Sequence, residues 1–556
     1  MPVCPLYETS YLYAPQTLPM RTCMDLIIES HRSCASKLTE NSMLLTAAIF
    51  AIIATPFLAV LIWRWRHFSY FKNLGIPGPK PSLIWGNIRE YHSMETYKVL
   101  DKWFQEYGDI FGFYNGDVPF IALKDLSFIE FVFVRNFQNF VDRGFLVITD
   151  QKHAVLGRSV MHESSPEWKR IRSVVAHSFS AAKLKQMMHS LEEETDILLR
   201  FVDKHADTGT EVNMRSRYEE LSMDYMARGA FGLDERFFGN AEQHPLVDVT
   251  KNAFRGLMTG PFHIIGQSTT MFGRLTGPIH WLTSVLGQFS FEALMRETTK
   301  IVQLRRNNPS LRRPDMLQNL LDAECHGQAV GQDETTGEAG AFKHRAMTPQ
   351  EVEVNAATLF ASGYETTSTA LSYVTFTLAK YPDVQEKVRR EIMDAVSDSG
   401  SLDYDTVTRK LKYLGQVLNE TLRIFPPSLS SISRQAKFDF EYNGMKFKAG
   451  TCFMCSPYLL HMEAQFWPKP HKFNPDRFSP ENATDLKKIA HAPFGIGPRN
   501  CVGKRLAVFE IKYTLARLLQ KYRLELGASQ EGSMEMEAFC FLSAPARGPW
   551  IVFHKL

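Results

Sequence analysis

Residues 43–63 form an almost unbroken apolar run without a charged residue. About 20 such residues suit one bilayer crossing, and Pro56 is tolerable inside a membrane helix. The run is longer than a signal-peptide core, and no small-residue cleavage site follows it. A buried core helix is the competing reading. Arg64, Arg66, His67 and Lys72 come next, whereas the charges before the run are mixed: Arg21, Asp25, Glu29, Arg32, Lys37 and Glu40. The positive-inside rule then puts the long C-terminal part in the cytosol, with Trp63 and Trp65 at the interface. Residues 1–42 would be lumenal. They are polar, carry Pro2, Pro5, Pro15 and Pro19, and are expected to hold little fixed structure.

After the run, residues 64–82 read as a basic and proline-rich linker, and Gly75-Ile76-Pro77-Gly78-Pro79-Lys80-Pro81 as a stiff hinge. Residues 83–556 then carry the periodicity of a folded domain. Leu100, Trp103, Phe104 and Tyr107 mark a helix. The apolar runs 110–114 and 118–123 flank Asn115-Gly116, a strong hairpin signal. Thr348-Pro349-Gln350-Glu351 combines a capping box with proline at the first helical position. The pattern continues to Lys380, where Tyr381-Pro382 stops it. Such a helix, roughly 30 residues against a mean of about 11–12, would pass through the core of a large domain. Another helix closes with Glu420-Thr421-Leu422-Arg423 and ends at Phe425-Pro426-Pro427. Residues 255–290 are apolar but rich in Gly and Pro, which suits a buried core loop or a lid dipping into the membrane. Residues 326–345 read as a polar surface loop.

Composition narrows the class. With 44% hydrophobic and 22% charged residues the chain is ordinary globular protein, and a formal net charge of +3 argues against nucleic-acid binding. The eight cysteines are scattered without metal-finger spacing. Cys4, Cys23 and Cys34 could pair in an oxidising lumen, but their number is odd. Cys452-Phe453-Met454-Cys455 lies in an apolar run and reads as a buried strand. No internal repeat is present.

One cysteine stands apart. Phe494-Gly495-Ile496-Gly497-Pro498-Arg499-Asn500-Cys501-Val502-Gly503 is a glycine-rich loop leading straight into an amphipathic run with Leu506, Phe509, Tyr513, Leu518 and Leu519 on one face. Cys501 therefore falls at or next to a helix N-terminus, where unpaired N–H groups and the helix dipole stabilise a thiolate. A thiolate held this way is a good axial ligand for haem iron. A buried structural cysteine after a tight turn is the plain alternative.

The loop resembles the cysteine loop of the cytochrome P450 superfamily, Phe-x-x-Gly-x-Arg-x-Cys-x-Gly, at every specified position. Three further motifs resemble that family in its order. Trp168-Lys169-Arg170-Ile171-Arg172 sits on a helix with Trp168 and Arg172 four apart; the plain reading is an arginine packed on a tryptophan. Ala361-Ser362-Gly363-Tyr364-Glu365-Thr366-Thr367 resembles the oxygen-binding groove of the long distal helix, with Ser362 where Ala or Gly is usual. Glu420 and Arg423, with Arg477 in Asn474-Pro475-Asp476-Arg477-Phe478, resemble the family's buried Glu–Arg–Arg clamp, Asp replacing the usual Glu. The details look most like the clan of the animal family 3 enzymes and thromboxane synthase.

The resemblance implies a mainly α (α+β) triangular fold with a small β-rich lobe and one N-terminal transmembrane helix. It implies haem b with Cys501 as metal ligand, and Trp168, Arg172, Arg434 and Arg499 toward the propionates, with Phe494 and Gly503 framing the loop. Gly363 would leave room over the iron, and Thr366 with Glu365 would deliver protons to bound dioxygen. It implies electrons from an NADPH-dependent cytochrome P450 reductase, with cytochrome b5 as an optional second donor, and an endoplasmic reticulum location. Lys169, Arg170, Lys504 and Arg505 are candidates for a basic docking face. The expected activity is monooxygenation of a lipophilic molecule by O2. A reductase-independent peroxide isomerase and a non-catalytic haem carrier or sensor are the alternatives. Substrate contacts are expected from residues 140–160, the 255–290 segment, the helix around Phe360, residues 428–432 and Phe541-Leu542.

Overall fold

Met20 opens a continuous helix, α1 (Met20–His67, 48 residues). The computed structural model describes residues 20–92, 95–144, 156–240, 244–253, 260–270, 278, 290–324, 346–429, 432–482, 485–530, 533–539 and 541–556. The chain divides into two units, Met1–His67 and Phe68–Leu556. Residues 20–42 are thus helical rather than unstructured. The physical reason is visible in the sequence: all four N-terminal prolines precede Met20, and Glu29 and Arg32 fall three apart, a spacing that supports a helix. Within α1, Leu45–His67 has a mean hydropathy of 2.5 and is long and apolar enough to cross a bilayer. Its Phe50, Ile52, Ile53 and Phe57 side chains are exposed.

In the second unit, β1 (Ile110–Asn115) and β2 (Val118–Leu123) form the expected antiparallel hairpin. The turn is Gly116-Asp117 rather than Asn115-Gly116, since Asn115 pairs with Val118. Gly116 takes φ +70°, so the positive φ falls on the first turn position, as a type II′ turn requires. Further on lie β3 (Val212–Asn213), β4 (Ile432–Gln435), β5 (Phe440–Tyr442), β6 (Met445–Phe447) and β7 (Cys452–Cys455). They are followed by β8 (Tyr522–Leu526), β9 (Met536–Phe539), β10 (Leu542–Pro545) and β11 (Trp550–Lys555). The largest sheet has the order β1-β2-β7-β4, with β2 parallel to β7. All four residues of β7 are buried, so the Cys452–Cys455 pair is a core strand, as its apolar run suggests.

Helices make up the rest. The cavity is lined from α2 (Glu167–His177), α4 (Pro349–Lys380), α5 (Lys412–Ile424) and α6 (Lys504–Lys521), and α3 (Ala181–Thr208) packs against α6. At the start of α4, Glu351 N donates to Thr348 Oγ1 (3.2 Å) and Thr348 N donates to Glu351 Oε2 (2.9 Å), closing the capping box. The 32-residue helix is buried along most of its length and packs against Met214–Asp224, α5 and α6. Its Ser and Thr hydroxyls donate back to carbonyls four residues earlier, as Thr358, Thr366, Ser372 and Thr377 do. Polar residues are thereby tolerated in a buried helix.

Most of the 255–290 segment and all of 326–345 lie outside the described residues. The helix Gly260–Gln267 is described, and Gln267 Nε2 donates to Asn115 O at 3.3 Å. That end is therefore docked on the β1–β2 turn.

Candidate active site

The cysteine loop, α4 and the start of α6 line one cavity of about 280 Å3. Cys501, Thr366, Arg172, Arg499, Phe494 and Gly503 all face it. Two glycines bend the loop, and at Gly497 (φ +72°) an added Cβ would lie 1.9 Å from Phe133 O. No other residue fits there. Cys501 N donates to Phe494 O at 2.7 Å, which closes the turn.

Cys501 lies just ahead of α6, whose N-cap is Gly503. Its sulfur is open to the cavity while protein surrounds it, so its exposure is internal. Burial raises the thiol pKa above its ordinary value; the Gly503 N–H, Arg172, Lys504 and Arg143 pull it the other way. Among the described cysteines, Cys501 alone lines the cavity, whereas Cys452 and Cys455 are spent in β7.

Four arginines surround this end. Arg172 Nη1 and Nη2 donate to Asn500 O (2.8 Å) and Oδ1 (3.1 Å). Arg143 donates to Arg499 O, Arg499 to Glu163 O, and Arg434 to Ser433 O (2.7 Å) and Ile496 O (3.0 Å). Every one of these bonds goes to a carbonyl or amide oxygen. Nε of Arg143, of Arg434 and of Arg499 and Nη1 of Arg499 are buried without a partner among the described residues. Burial together with mutual repulsion lowers the pKa of Arg499 to about 9 and of Arg434 well below the ordinary range. Burial and Arg172 lower that of Arg143 to about 10. Uncompensated buried cations are costly, so this cluster is built for an anion.

Trp168 departs from expectation. Its Nε1 donates to Val160 O at 3.1 Å and it does not line the cavity. A buried indole N–H needs a partner, and the backbone supplies it. The Trp168 ring instead supports Arg499, whose guanidinium lies 4.4 Å from the ring centroid. Arg170 also departs: it forms two bonds with Glu351 (2.6 and 2.9 Å) and is not free to dock a partner. Lys169, Lys504 and Arg505 are exposed.

On α4, Ser362, Gly363, Thr366 and Thr367 line the cavity. Thr366 Oγ1 donates to Ser362 O at 2.7 Å. Glu365 is buried but does not line the cavity. A Cβ on Gly363 would lie 2.3 Å from Met226 Sδ, so the missing side chain also makes room for that methionine. Glu510 of α6 was not foreseen: it lines the cavity, is 2% exposed, and accepts a long hydrogen bond from Thr367 Oγ1 (3.4 Å). Arg143 was not singled out either. Val160, Ser428, Phe541 and Leu542 line the cavity from the expected regions, and Leu359 does so in place of its neighbour Phe360.

Glu420, Arg423 and Arg477 come together as expected. Arg423 Nε and Nη2 donate to the two Glu420 oxygens at 2.8 and 2.9 Å, and Arg477 Nε donates to Glu420 Oε1 at 3.2 Å. Asn474 N adds a bond at 3.0 Å. The remaining guanidinium donors reach His461 O, Pro470 O and Pro468 O.

The chain matches the family model described as Cytochrome P450 over residues 76–551. It is 32% identical over 468 residues to cytochrome P450 3A14 of Cavia porcellus (83% of this chain, 88% of that one). It is 31% identical over 487 residues to cytochrome P450 3A1 of Rattus norvegicus (86% and 92%), and 32% over 482 residues to cytochrome P450 3A7 of Homo sapiens (86% and 91%). The chain belongs to the cytochrome P450 family. It is accordingly an oxidoreductase of the monooxygenase class that takes haem with an axial cysteine thiolate. The cavity fits that group: a thiol at one wall, Arg143, Arg172 and Arg499 on the lining and Arg434 behind the cysteine loop, none bonded to a carboxylate among the described residues, suit an iron porphyrin with two carboxylates.

Proposed function

We propose that Cys501 is the axial haem ligand of a membrane-anchored monooxygenase acting on a lipophilic substrate. The observation that carries this reading is the juxtaposition of Cys501 with Arg143, Arg172 and Arg499 on one cavity, with buried Arg434 bonded to the cysteine loop at Ile496 O. Bound haem supplies activation of dioxygen, so that one oxygen atom is inserted into the substrate and the other leaves as water. The chain's residues do the rest. The Gly503 N–H and the N-terminal dipole of α6 favour a charged sulfur. Arg143, Arg172, Arg434 and Arg499 compensate the propionates and orient the ring. Thr366 holds a proton at Oγ1 within the cavity and can exchange its bond to Ser362 O for one to a cavity acceptor. Glu365, next in the chain but off the cavity, acts behind it as a proton carrier. Val160, Met161, Leu359, Phe541 and Leu542 supply an apolar lining, which favours a lipophilic substrate.

Electrons come from an NADPH-dependent flavoprotein reductase, with cytochrome b5 as an optional second donor. Exposed Lys169, Lys504 and Arg505 suit an acidic partner. The exposed aliphatic run within Leu45–His67 suits a bilayer core, and Arg64, Arg66 and His67 at its C-terminal end support a cytosolic catalytic part, with the endoplasmic reticulum as the proposed membrane. Substrate-dependent NADPH consumption with reductase tests the whole reading; turnover of a peroxide without NADPH would overturn it.

Thr366→Ala should raise peroxide released per NADPH by about tenfold, below the 10²–10⁴ of a full general acid–base contribution because water takes over part of the proton delivery. Unchanged coupling would remove Thr366 from the relay. Arg434→Leu should act with opposite signs in two states. In haem-stripped protein it removes an uncompensated buried charge and should stabilise by about 1–4 kcal/mol in denaturant titration. In loaded protein it should speed haem loss to an excess of scavenger. The same sign in both assays would show that Arg434 does not face the propionates.

A further inference from the structure

Glu510 stands on the buried face of α6, four residues after Leu506 and three before Tyr513. It lines the cavity shared by Cys501, Thr366 and Thr367. Oε2 accepts from Thr367 Oγ1, and Oε1 is buried with no partner among the described residues. It takes part in no ion pair among the described residues; the carboxylate that acts electrostatically on Lys512, two positions on, is Glu391. The titratable side chain that feels Glu510 from the neighbouring Tyr225–Ala230 turn is Tyr225, which is buried, bonded to Thr195 and Thr514, and neutral. An ionised carboxylate in such a place would be an uncompensated buried charge. A neutral carboxylic acid has one oxygen to accept and one O–H to donate, and that matches a site with one donor beside it and an open cavity on the other side.

We propose that Glu510 is a further positioning residue of the site. Held as the neutral acid, it ties the helix that begins at the cysteine loop to the hydroxyl groove of α4 through Thr367, and presents its second oxygen to cavity water or the bound group. Burial raises its pKa to about 8, with the Thr367 hydroxyl opposing the shift. Ionisation above that point places a negative charge in the cavity and disturbs the groove.

The sign follows from proton linkage. In strong acid both folded and unfolded chains carry the proton and stability is unaffected. As pH rises past the ordinary glutamate range of about 4.3, the unfolded chain releases it first, so the wild type loses stability relative to Glu510→Gln until about pH 8. Denaturation of the full-length haem-loaded protein should therefore show Glu510→Gln the more stable at neutral pH, with the gap closing toward acid. In infrared difference spectra the wild type should show the carbonyl stretch of a protonated carboxyl that the variant lacks. Peroxide released per NADPH should rise in the wild type through a break near about 8 that Glu510→Gln lacks. Thr367→Val should move that break upward, because the bond it removes favours the charged form.

A stability–pH curve shared by wild type and Glu510→Gln would overturn the neutral acid. A break in coupling that persists in Glu510→Gln would overturn the positioning role. The denaturation and infrared readouts do not require Cys501 to ligate iron, whereas a wild-type reduced carbon monoxide spectrum without a red-shifted band would strike the haem reading alone.

Discussion

Cys501→Ala should abolish the strongly red-shifted Soret band in the reduced carbon monoxide difference spectrum and reduce monooxygenation by at least about a thousandfold, a loss of ~4 kcal/mol of transition-state stabilisation. The expectation rests on placement. Cys501 is the described cysteine that faces the cavity, its loop is closed by its own N–H on Phe494 O, and the Gly503 N–H is directed to its sulfur. Arg143, Arg172, Arg434 and Arg499 remain to hold the haem propionates in this variant, so the telling result is a changed spectrum rather than an empty protein. Cys452→Ala is the matched control. It touches a core strand and should leave the band in place, apart from the stability lost by truncating a buried side chain. A normal band in Cys501→Ala would refute the assignment.

The second large effect belongs to the clamp. Removing Glu420 as alanine should leave Arg423 fully buried without its counter-charge, with both side chains 0% exposed in the intact protein. Breaking such a pair costs about 3–5 kcal/mol, a large share of the 5–15 kcal/mol that holds typical domains together. The expected outcome is little soluble, haem-loaded protein at growth temperature. Arg477→Ala should be milder: Arg477 is 11% exposed and its bond to Glu420 is the longer one at 3.2 Å. The comparison is read from the yield of holoprotein and its denaturation midpoint. Equal losses for Glu420→Ala and Arg477→Ala would show that the clamp does not depend on the Glu420–Arg423 pair.

Much of this site was legible because its motifs are local. The ten residues 494–503 dictate their own turn, and Thr348 to Glu351 dictate their own cap. Glu420 and Arg423 are neighbours by helical spacing alone. Glu510 was also within reach: a carboxylate between Leu506, Phe509 and Tyr513, on a face that must be buried, is a recognisable anomaly. The apolar members that dominate that face mask it. Arg143 carried no such signal. It lies in a stretch without apolar periodicity, and its place beside Arg172 and Arg499 is set by chain segments far apart in sequence.

The two departures have one cause. Trp168 and Arg172 share a helical face, which suggested that both would point at the same group. Tertiary packing instead gave the Trp168 N–H to Val160 O and its ring to Arg499, and gave Arg170 to Glu351. Buried donors and charges take whichever partner the surrounding segments bring, and helical spacing does not reveal which.

By itself the sequence determined the apolar span, the long capped helix, the cysteine loop and the clamp, because each is written within a few turns of chain. Only the tertiary structure decided which polar groups share the cavity. It brought Arg143, Arg172 and Arg499 to the lining and Arg434 behind the cysteine loop, with no carboxylate bonded to them among the described residues, set Thr366 and Thr367 on the wall and Glu365 behind it, and brought Glu510 against Thr367. Those outcomes depend on long-range packing and on the cost of burying charge, which no local pattern encodes.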